Sequence, residues 1–476
     1  MSTSAFTAVL STILAVIHIA GIFYALRALM IARTPQSAIG WALALLTIPY
    51  IAIPLFWIFG QSRFSGYVSM GTGECPALDA VAHRALDACE PHLSAFPHQH
   101  ADCERIARNL RGLEAIGGNS ARLLVDGNET FEAIFQDIAA AKKFVVVQFY
   151  IIHNDGLGQR LRAVLLEAAA RRVDCYVLYD AVGSKGLDEN WFGPLRAAGV
   201  HVHDFVTNRE RGRHFQMNFR NHRKLVVVDG RVGFLGGLNV GDEYLGLGPL
   251  GAWRDTHLRV EGAVVPALLI SFYEDWNYAT GEVLELPFEM APHGKQRVLP
   301  FASSPAQTWH VASAVYLEVI HDAKERLWIA SPYFIPDPAT RSALAHAALR
   351  GVDVRILLPG KPDHLLPWLS SFTLYPQMRE AGVRIWRMKE GFMHQKVLLA
   401  DDDLSIVGSV NLDYRSFMIN FELAAVIQDV SFTADVEAML NRDFSNSLEE
   451  DLNSFDRAGF FFRLKCRLAA LMSPEQ

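Results

Sequence analysis

A pattern of histidine, lysine and aspartate occurs twice in this chain at identical spacing, which restricts the fold to one built from two similar halves. Each copy reads His-x-Lys, four residues, Asp, six residues, Gly, Gly or Ser, one residue and Asn. The residues concerned are His222, Lys224, Asp229, Gly236, Gly237 and Asn239 in the first copy, and His394, Lys396, Asp401, Gly408, Ser409 and Asn411 in the second. Chance does not account for so long a match, and such a repeat indicates duplicated halves that share one site.

The apolar run after each His-x-Lys predicts a buried strand. Leu225–Val228 is short and mostly β-branched, and alternate residues of a strand point to the same face, so His222 and Lys224 are expected to lie side by side. A neutral imidazole beside an ammonium group suits an anionic, phosphate-like centre, because the lysine offsets charge while the histidine attacks or carries a proton. The motif therefore predicts chemistry on a phosphate group.

The order of predicted elements also repeats around the two motifs. In each half an apolar strand is followed by a helix and a second strand, and a similar Ala-Gly-Val segment approaches the motif. The corresponding stretches are Phe144–Ile152, Leu157–Arg171, Val173–Asp180 and Leu195–Phe205 in the first half, and Leu327–Ile335, Pro338–Arg350, Val352–Leu358 and Met378–Met388 in the second. This alternation predicts an α/β fold with two pseudo-symmetric lobes, each a mostly parallel sheet flanked by helices, at residues 121–295 and 296–476.

The N-terminal sequence predicts a membrane hairpin at residues 1–62. Met1–Leu26 lacks Lys, Arg, Asp and Glu, and Ala38–Gly60 is a second uncharged stretch. Each is long enough for a transmembrane helix, and Pro49 and Pro54 predict a kink in the second. A cleaved signal peptide is the rival interpretation, but the first stretch lacks a basic start, and the second stretch favours a hairpin.

Charged residues near the hairpin predict its topology. Arg27 and Arg33 lie between the two stretches, which the positive-inside rule places in the cytoplasm, with both ends of the hairpin on the other side. Arg63, just beyond the second stretch, weakens that bias. Residues 63–120 are polar, with glycine, proline and histidine, and predict a linker with some helix.

Charge and cysteine usage exclude some classes of function. The formal net charge is −7, whereas nucleic-acid-binding proteins are usually basic, so no nucleic-acid partner is predicted. The five cysteines lack CxxC or zinc spacing, so neither a disulfide framework nor a metal site is predicted. Hydrophobic residues make up 51% of the chain, which is high for a soluble enzyme and agrees with a membrane segment.

The paired motifs resemble those of the phospholipase D superfamily, in which two HKD motifs meet at a pseudo-twofold interface. The resemblance covers residues 121–446. It implies that His222, Lys224, His394 and Lys396 converge on one phosphodiester, where one imidazole attacks phosphorus and the other moves protons to and from the alcohols. The motifs themselves are symmetric and leave the nucleophile open, but the resemblance implies His222. Two lysines at the phosphate make a metal unnecessary, and no cofactor is predicted.

The resemblance also implies supporting roles for other motif residues. Asn239, Ser409 and Asn411 are expected to contact the substrate phosphate. Asp229 and Asp401 belong to the catalytic motifs but lie at the far ends of their strands, so they are interpreted as structural carboxylates rather than general acids.

A catalytic histidine usually needs a carboxylate that orients it, and in such motifs an acidic residue follows the Gly-Ser-x-Asn segment. Glu422 fits that place in the second half and is expected to accept the Nδ1–H of His394. Asp255 is similar to it in the first half, after a longer loop. Gly237 stands where the family pattern has serine, so the first half is expected to lack one phosphate-contacting hydroxyl.

A membrane hairpin followed by two HKD lobes is similar to the bacterial cardiolipin synthases. This resemblance implies a multi-pass inner-membrane enzyme that joins two phosphatidylglycerols and releases glycerol through a phosphohistidine. The expected partners are phosphatidylglycerol and the bilayer, with oligomeric state left open. The alternatives are a phospholipase D-type hydrolase, another phosphatidyltransferase and, less favoured by the acidic charge, a membrane-anchored nuclease.

Two basic and apolar segments predict contact with lipid. Arg209–Arg220 interleaves arginines with phenylalanine and methionine upstream of the first motif, and a solvated loop is the alternative. Phe460–Met472 has similar character at the C-terminal end. Apolar side chains in such segments can enter the membrane interface while the cations hold phosphates, so an interfacial helix is expected at Phe460–Met472.

Overall fold

The computed structural model of the chain describes residues 3–32, 34–60, 63–70, 72–206, 218–288 and 292–473. The chain divides into two compact units. One unit comprises Met1–Gly66 and Val206–Arg220, and the other comprises Tyr67–Phe205 and Asn221–Gln476. Both motif copies belong to the second unit. Most of the predicted lipid rim at Arg209–Arg220 lies outside the described residues.

In its described part, the N-terminal unit contains three apolar helices: α1 (Thr3–Ile31), α2 (Pro35–Thr47) and α3 (Pro49–Phe59). Within the described residues, one segment is long and apolar enough to cross a membrane, Ala5–Ile31 in α1. The second uncharged stretch is not the continuous kinked helix that the sequence predicts. It breaks at Ile48, with φ −133° and ψ 56°, because a residue before proline is disfavoured in the helical conformation.

The three helices pack closely together through small residues. A Cβ atom at Gly21 of α1 would lie only 2.4 Å from the carbonyl oxygen of Leu45 in α2, so glycine permits that approach. Ala28, Leu45 and Phe56 are buried between the helices, while large apolar residues such as Phe23 remain exposed. The unit therefore has an apolar exterior as well as an apolar core.

The larger unit contains nineteen strands within the described residues. The strands of the first half are β1 (Ile116–Val125), β2 (Phe144–Phe149), β3 (Asp174–Asp180), β4 (His201–Phe205), β5 (Leu225–Val228), β6 (Val232–Gly236), β7 (Trp253–Arg254) and β8 (Thr256–Gly262). Those of the second half are β9 (Gln296–Ser303), β10 (Arg326–Ala330), β11 (Phe334–Ile335), β12 (Asp353–Leu358), β13 (Arg384–Met388), β14 (Phe392–Met393), β15 (Val397–Ala400), β16 (Leu404–Gly408), β17 (Leu412–Asp413), β18 (Glu422–Gln428) and β19 (Ser447–Glu449).

Helices surround these strands. They are α4 (Pro76–Cys89), α5 (Ala101–Arg111), α6 (Asp126–Ala140), α7 (Gly156–Ala170), α8 (Glu189–Ala197), α9 (Val265–Thr280), α10 (Val311–Asp322), α11 (Pro338–Leu349), α12 (Leu365–Ser371), α13 (Tyr375–Ala381), α14 (Tyr414–Met418), α15 (Val430–Ser445), α16 (Ser454–Arg457) and α17 (Phe460–Ala470). The segment predicted as a linker contains α4 and α5. Ala82 and Ala107 from these helices join the main apolar core, so the segment is a packed part of the unit.

Fifteen of the strands form a single mixed sheet, in the order β19-β13-β12-β10-β15-β16-β18-β9-β1-β8-β6-β5-β2-β3-β4. The parallel pairings in this sheet are β2–β3, β3–β4, β10–β12 and β12–β13, and its other pairings are antiparallel. The prediction of a mostly parallel sheet in each lobe is therefore wrong. The two halves are joined edge to edge, since β1 pairs with β9.

The motif aspartates explain why the sheet is mixed. Asp229 and Asp401 each begin a tight turn with positive φ, 54° and 51° respectively, a conformation that aspartate tolerates better than most residues. The chain reverses at both turns, so β5 pairs antiparallel with β6, and β15 with β16. Each motif strand is thus inserted as a hairpin beside the parallel strands.

Candidate active site

The two motif histidines lie just before β5 and β15, and each is held by the backbone of the other half. The His222 N–H donates to the carbonyl of Phe421 at 2.9 Å, and the His394 N–H donates to the carbonyl of Arg254 at 2.8 Å. Both pairings belong to short parallel bridges between the halves. The residues that follow these two carbonyls, Glu422 and Asp255, are thereby brought to the opposite motif.

The orienting carboxylates therefore cross between the halves. His222 Nδ1 lies 2.9 Å from Glu422 Oε2, and His394 Nδ1 lies 2.7 Å from Asp255 Oδ2. The expectation that Glu422 orients His394 is wrong. The reason is the backbone pairing, which places each acidic residue beside the histidine of the other motif rather than its own.

Different neighbours support the two carboxylates. The Ser409 hydroxyl donates to Glu422 at 2.5 Å, and the Asn420 amide donates to it at 3.2 Å. Asp255 instead accepts the N–H of Thr256 at 2.7 Å. A Cβ atom at Gly237 would lie 2.1 Å from Asp255 Oδ1, so this glycine leaves the room that the carboxylate occupies. Where the family pattern has serine, Gly237 therefore allows Asp255 to pack directly against the backbone.

Both motif lysines are fully buried beside their histidines. Lys224 Nζ donates to the carbonyl of His222 at 2.8 Å, and Lys396 Nζ donates to the carbonyl of His394. Lys396 Nζ also lies 2.9 Å from His394 Nδ1. The ring of Tyr150 packs edge-on against the imidazole of His222, with ring centroids 5.1 Å apart.

Burial keeps the imidazoles neutral. It lowers the pKa of His222 to about 4, even though Glu422 acts in the opposite direction. Burial together with the Lys396 ammonium holds the pKa of His394 well below its ordinary value. Each histidine contacts a carboxylate from the other half, and the charges of His222, Lys224, His394 and Lys396 influence one another. Neutral imidazoles beside cations suit attack on an anionic phosphodiester.

Burial and neighbouring charges also shift the pKa values of the motif lysines and of the two carboxylates. Burial lowers the pKa of Lys396 to about 8 and holds that of Lys224 well below its ordinary value. Burial raises the pKa of Asp255 to about 6, against the effect of Lys396. For Glu422 burial would raise the pKa, but His222 and Lys224 outweigh it and the pKa lies below its ordinary value. Glu422 is therefore the more firmly ionised of the two carboxylates.

Of the three residues expected to contact substrate, Asn411 has a free acceptor. Its Oδ1 is buried and has no hydrogen-bond partner among the residues that the structure describes. The Asn239 amide instead donates to the Tyr244 hydroxyl at 2.6 Å and accepts from the Ile151 N–H at 3.1 Å. The Ser409 hydroxyl donates to Glu422. These two side chains hold the surrounding chain, and Asn411 remains the one with spare hydrogen-bonding capacity.

The motif aspartates bind backbone at the outer ends of their strands. Asp229 accepts from the N–H groups of residues 142–144 at 2.7–3.2 Å. Asp401 does the same with residues 324–326, at 2.8–3.2 Å. Each carboxylate thus ties the motif hairpin to the start of the neighbouring central strand, β2 or β10.

The sequence reasoning missed Arg223, which lies between the first histidine and lysine. Its guanidinium is fully buried and donates to Asp275 at 2.8 Å, to the carbonyl of Ser303 at 3.1 Å and to that of Glu422 at 3.3 Å. It therefore ties the chain at His222 to the strand that carries Glu422. The available signal is its position in the middle of His-x-Lys, directly before a buried apolar strand, since a charge that is buried there needs a partner.

Among the described residues, one group could hold a metal ion: His153, Asp155 and Glu243, whose ligand atoms lie within 4.8 Å of one another. Protein groups already use these atoms. Asp155 accepts the N–H of Gly158 at the start of α7 and that of Asp242, and His153 Nδ1 lies 3.3 Å from Glu243. We assign no metal to this group.

Comparison with known proteins gives three findings. Residues 316–444 match the family model described as "Cardiolipin synthase, PLD-like domain". The chain is 43% identical to proteins named cardiolipin synthase A from Pseudomonas fluorescens Pf-5 and Pseudomonas syringae pv. syringae B728a, over 97% of this chain and 97% of each relative. The crystal structure of phosphatidylserine synthase from Haemophilus influenzae Rd KW20 superposes with a TM-score of 0.62 at 14% identity, covering 79% of this chain and all of that chain; that likeness concerns the fold alone.

Proposed function

The chain belongs to the cardiolipin synthases of the phospholipase D superfamily, and we propose that it transfers a phosphatidyl group from one phosphatidylglycerol to another, with release of glycerol. The observation that carries this proposal is the pair of buried His–carboxylate contacts, each beside a buried lysine. Such a pair provides a nucleophile, a proton carrier and charge stabilisation at one phosphodiester.

In the first half-reaction we assign attack to His222. Glu422 accepts the Nδ1–H, which leaves the Nε2 lone pair free to form a P–N bond. The bond from phosphorus to the glycerol oxygen breaks, and His394 gives that oxygen its proton. The bound anionic phosphodiester raises the pKa of His394, so the imidazole can carry that proton.

In the second half-reaction His394 acts as a base rather than as an acid. A hydroxyl of the second phosphatidylglycerol gives its proton to His394 and attacks phosphorus. The P–O bond of cardiolipin forms, the P–N bond breaks, and His222 returns to its neutral state. Lys224 and Lys396 offset charge on the phosphoryl oxygens, and the free acceptor of Asn411 is available to a hydroxyl of the substrate.

The protein is membrane-associated, as its relatives indicate, and we further propose that it spans the bacterial inner membrane more than once. The apolar exterior of α1, α2 and α3 supports a hairpin in which α1 crosses and the broken α2–α3 pair returns. The break at Ile48 and the length of α3, 11 residues, fit a return segment that crosses only as a pair of short helices. We also propose residues 1–62, 121–295 and 296–476 as functional segments, with most of residues 63–120 packed into the catalytic unit.

The reaction itself is tested with the purified protein and vesicles of phosphatidylglycerol. Cardiolipin and glycerol are expected in equal amounts, measured by mass spectrometry of the lipids and an enzymatic glycerol assay. A variant with both motif histidines replaced by alanine serves as the control. Phosphatidic acid as the main product would instead identify a hydrolase.

The pH dependence of kcat/KM is expected to be bell-shaped. Asp255 must be ionised to orient His394, so activity falls as the pH drops through about 6, the pKa of Asp255. Lys396 must be protonated, so activity falls as the pH rises through about 8. Asp255→Asn should remove the acid limb, and Lys396→Arg should move the basic limb upward, because a guanidinium stays charged. Unchanged limbs in both variants would contradict these assignments.

Activity is expected to survive exhaustive chelation. Lys224 and Lys396 supply the positive charge that a divalent ion provides in other phosphoryl-transfer enzymes. The measurement is cardiolipin formation after dialysis against EDTA, with and without added Mg²⁺, Mn²⁺, Ca²⁺ or Zn²⁺. Loss of turnover that one specific ion restores would refute the two-lysine account.

A further inference from the structure

The C-terminal helix α17 presents different surfaces around its axis. Its inner face carries Phe462, Cys466 and Ala469. Cys466 and Ala469 are buried, and the ring of Phe462 packs against Phe372 with centroids 5.4 Å apart. This face therefore anchors the helix to the core of the catalytic unit.

The outer surface is apolar and open to solvent. We call it the apolar stripe, and it consists of Phe460, Phe461, Leu464, Leu468, Leu471 and Met472, whose exposed fractions lie between 40% and 76%. With about 100° between successive helical residues, these six side chains fall within roughly one third of the circumference. An exposed apolar band of this kind marks a surface that contacts protein or membrane.

Cations flank the apolar stripe. Lys465 lies on one edge and Arg463 and Arg467 on the other, by the same helical spacing, and all three are exposed. The segment Phe460–Met472 contains no Asp or Glu. Long basic side chains at the borders of an apolar face can reach outward to phosphate groups while the apolar residues enter the acyl boundary. The charge thus complements an anionic lipid surface.

The stripe-bearing helix is linked to the surroundings of the catalytic groups through α12. Helix α17 packs on α12, and α12 begins directly after Asp363 and His364. The Asp363 carboxylate acts on the pKa of both His394 and Lys396, opposing the effect of burial, so it lies near the reacting groups. Asp363 and His364 also line a small surface pocket with Tyr333, whose hydroxyl donates to Asp363 at 2.6 Å.

We propose that the apolar stripe of α17 docks on an anionic phospholipid bilayer, so that the α12–α17 side of the catalytic unit rests on the membrane surface. A second copy of this chain is a poorer occupant. An isologous pairing would bring Arg463, Lys465 and Arg467 of two helices together, which repel each other. The docked surface would present lipid headgroups beside the pocket at Asp363.

Lipid contact of the stripe is tested on the full chain in phosphatidylglycerol vesicles. A Cys75→Ser background removes the one native cysteine that is not buried. Leu464→Cys carries an environment-sensitive fluorophore, and Leu349→Cys, which is 70% exposed in α11, carries it as the matched control. Brominated acyl chains should quench the label at 464 at least about twofold more than the label at 349, because only the stripe enters the acyl boundary. Equal quenching at both positions, or protection of 464 that depends on protein rather than lipid concentration, would overturn the proposal.

A second measurement concerns turnover and rests on the proposed reaction, whereas the quenching experiment does not. The variant with Phe461→Asp and Leu468→Asp should lose at least about tenfold in kcat/KM on vesicles, since two charges oppose insertion. The same variant should keep full activity on a short-chain phosphatidylglycerol dispersed in detergent. Leu349→Asp is the control and should leave both activities intact. Equal loss on both substrates would point to a folding defect and count against docking.

Discussion

The His222→Ala variant is expected to form no covalent phosphatidyl-enzyme and to lose at least about 10⁴-fold in turnover, as removal of a nucleophile does in other enzymes. The Nε2 atom of His222 is the proposed site of the P–N bond, and Glu422 holds the ring in the tautomer that leaves Nε2 unprotonated. No neighbouring group replaces it, since His394 is held in its own pairing with Asp255.

The comparison variant is His394→Ala, assayed with an activated lipid such as phosphatidyl-p-nitrophenol. A good leaving group needs no proton, so the first half-reaction should proceed while the second stalls for want of a base. An acid-labile adduct is therefore expected to accumulate on His394→Ala and not on His222→Ala, measured by mass spectrometry of the protein after an alkaline denaturing quench and confirmed by its loss on brief acid treatment. An adduct on His222→Ala would reverse the assignment of the two histidines. Adducts on neither variant would argue against a covalent route.

The second large effect is expected from Glu422→Gln, which should lower turnover on the order of 10²-fold or more. The amide keeps the shape of the side chain but donates where the carboxylate accepts. His222 would then lose the tautomer that attacks phosphorus. The amide oxygen can still accept from Asn420, and the Ser409 hydroxyl can accept from the amide NH2 while it donates to the carbonyl of Leu423. The side chain should therefore remain in place and the fold should persist, which a thermal melt can check.

Because Glu422 contacts His222 and Asp255 contacts His394, the Glu422→Gln and Asp255→Asn variants are expected to affect different half-reactions. With the activated lipid, Glu422→Gln should still form the adduct slowly, because His222 itself is misoriented. Asp255→Asn should form it at a nearly normal rate and then resolve it slowly, because only His394 is affected. Burst amplitude and steady-state rate from rapid-quench kinetics separate the two steps. The opposite pattern would mean that each carboxylate serves the histidine of its own motif.

Much of the chemistry follows from local spacing. A strand repeats every two residues, so a histidine and a lysine in the order His-x-Lys lie on the same side wherever the strand is placed. The duplication of that spacing implied two halves at one site, and in the structure each motif histidine contacts a carboxylate from the other half. The α/β class also followed from the alternation of apolar strands and helices. The break of the second uncharged stretch at Ile48 could have been predicted from Pro49, whose ring restricts the residue before it.

Tertiary structure alone decided which carboxylate orients which histidine. Glu422 and Asp255 are distant in sequence from the residues they contact, and a symmetric motif carries no information about which copy pairs with which. The backbone pairing of His222 with Phe421 and of His394 with Arg254 settles it. Ser409 was likewise assigned to the substrate because its partner Glu422 arrives only on folding.

The arrangement of the sheet was also beyond sequence reasoning. Strand periodicity reports burial, but it does not report the direction of a neighbouring strand. The turns at Asp229 and Asp401 reverse the chain and make the motif strands antiparallel to their neighbours, while β1 and β9 join the halves into one sheet. The spacing of residues along the chain thus identified the candidate reacting groups, because it decides which side chains lie side by side within one strand. The carboxylate partner of each histidine was determined by hydrogen bonds between the two halves, because such bonds form only when strands that are distant in sequence meet.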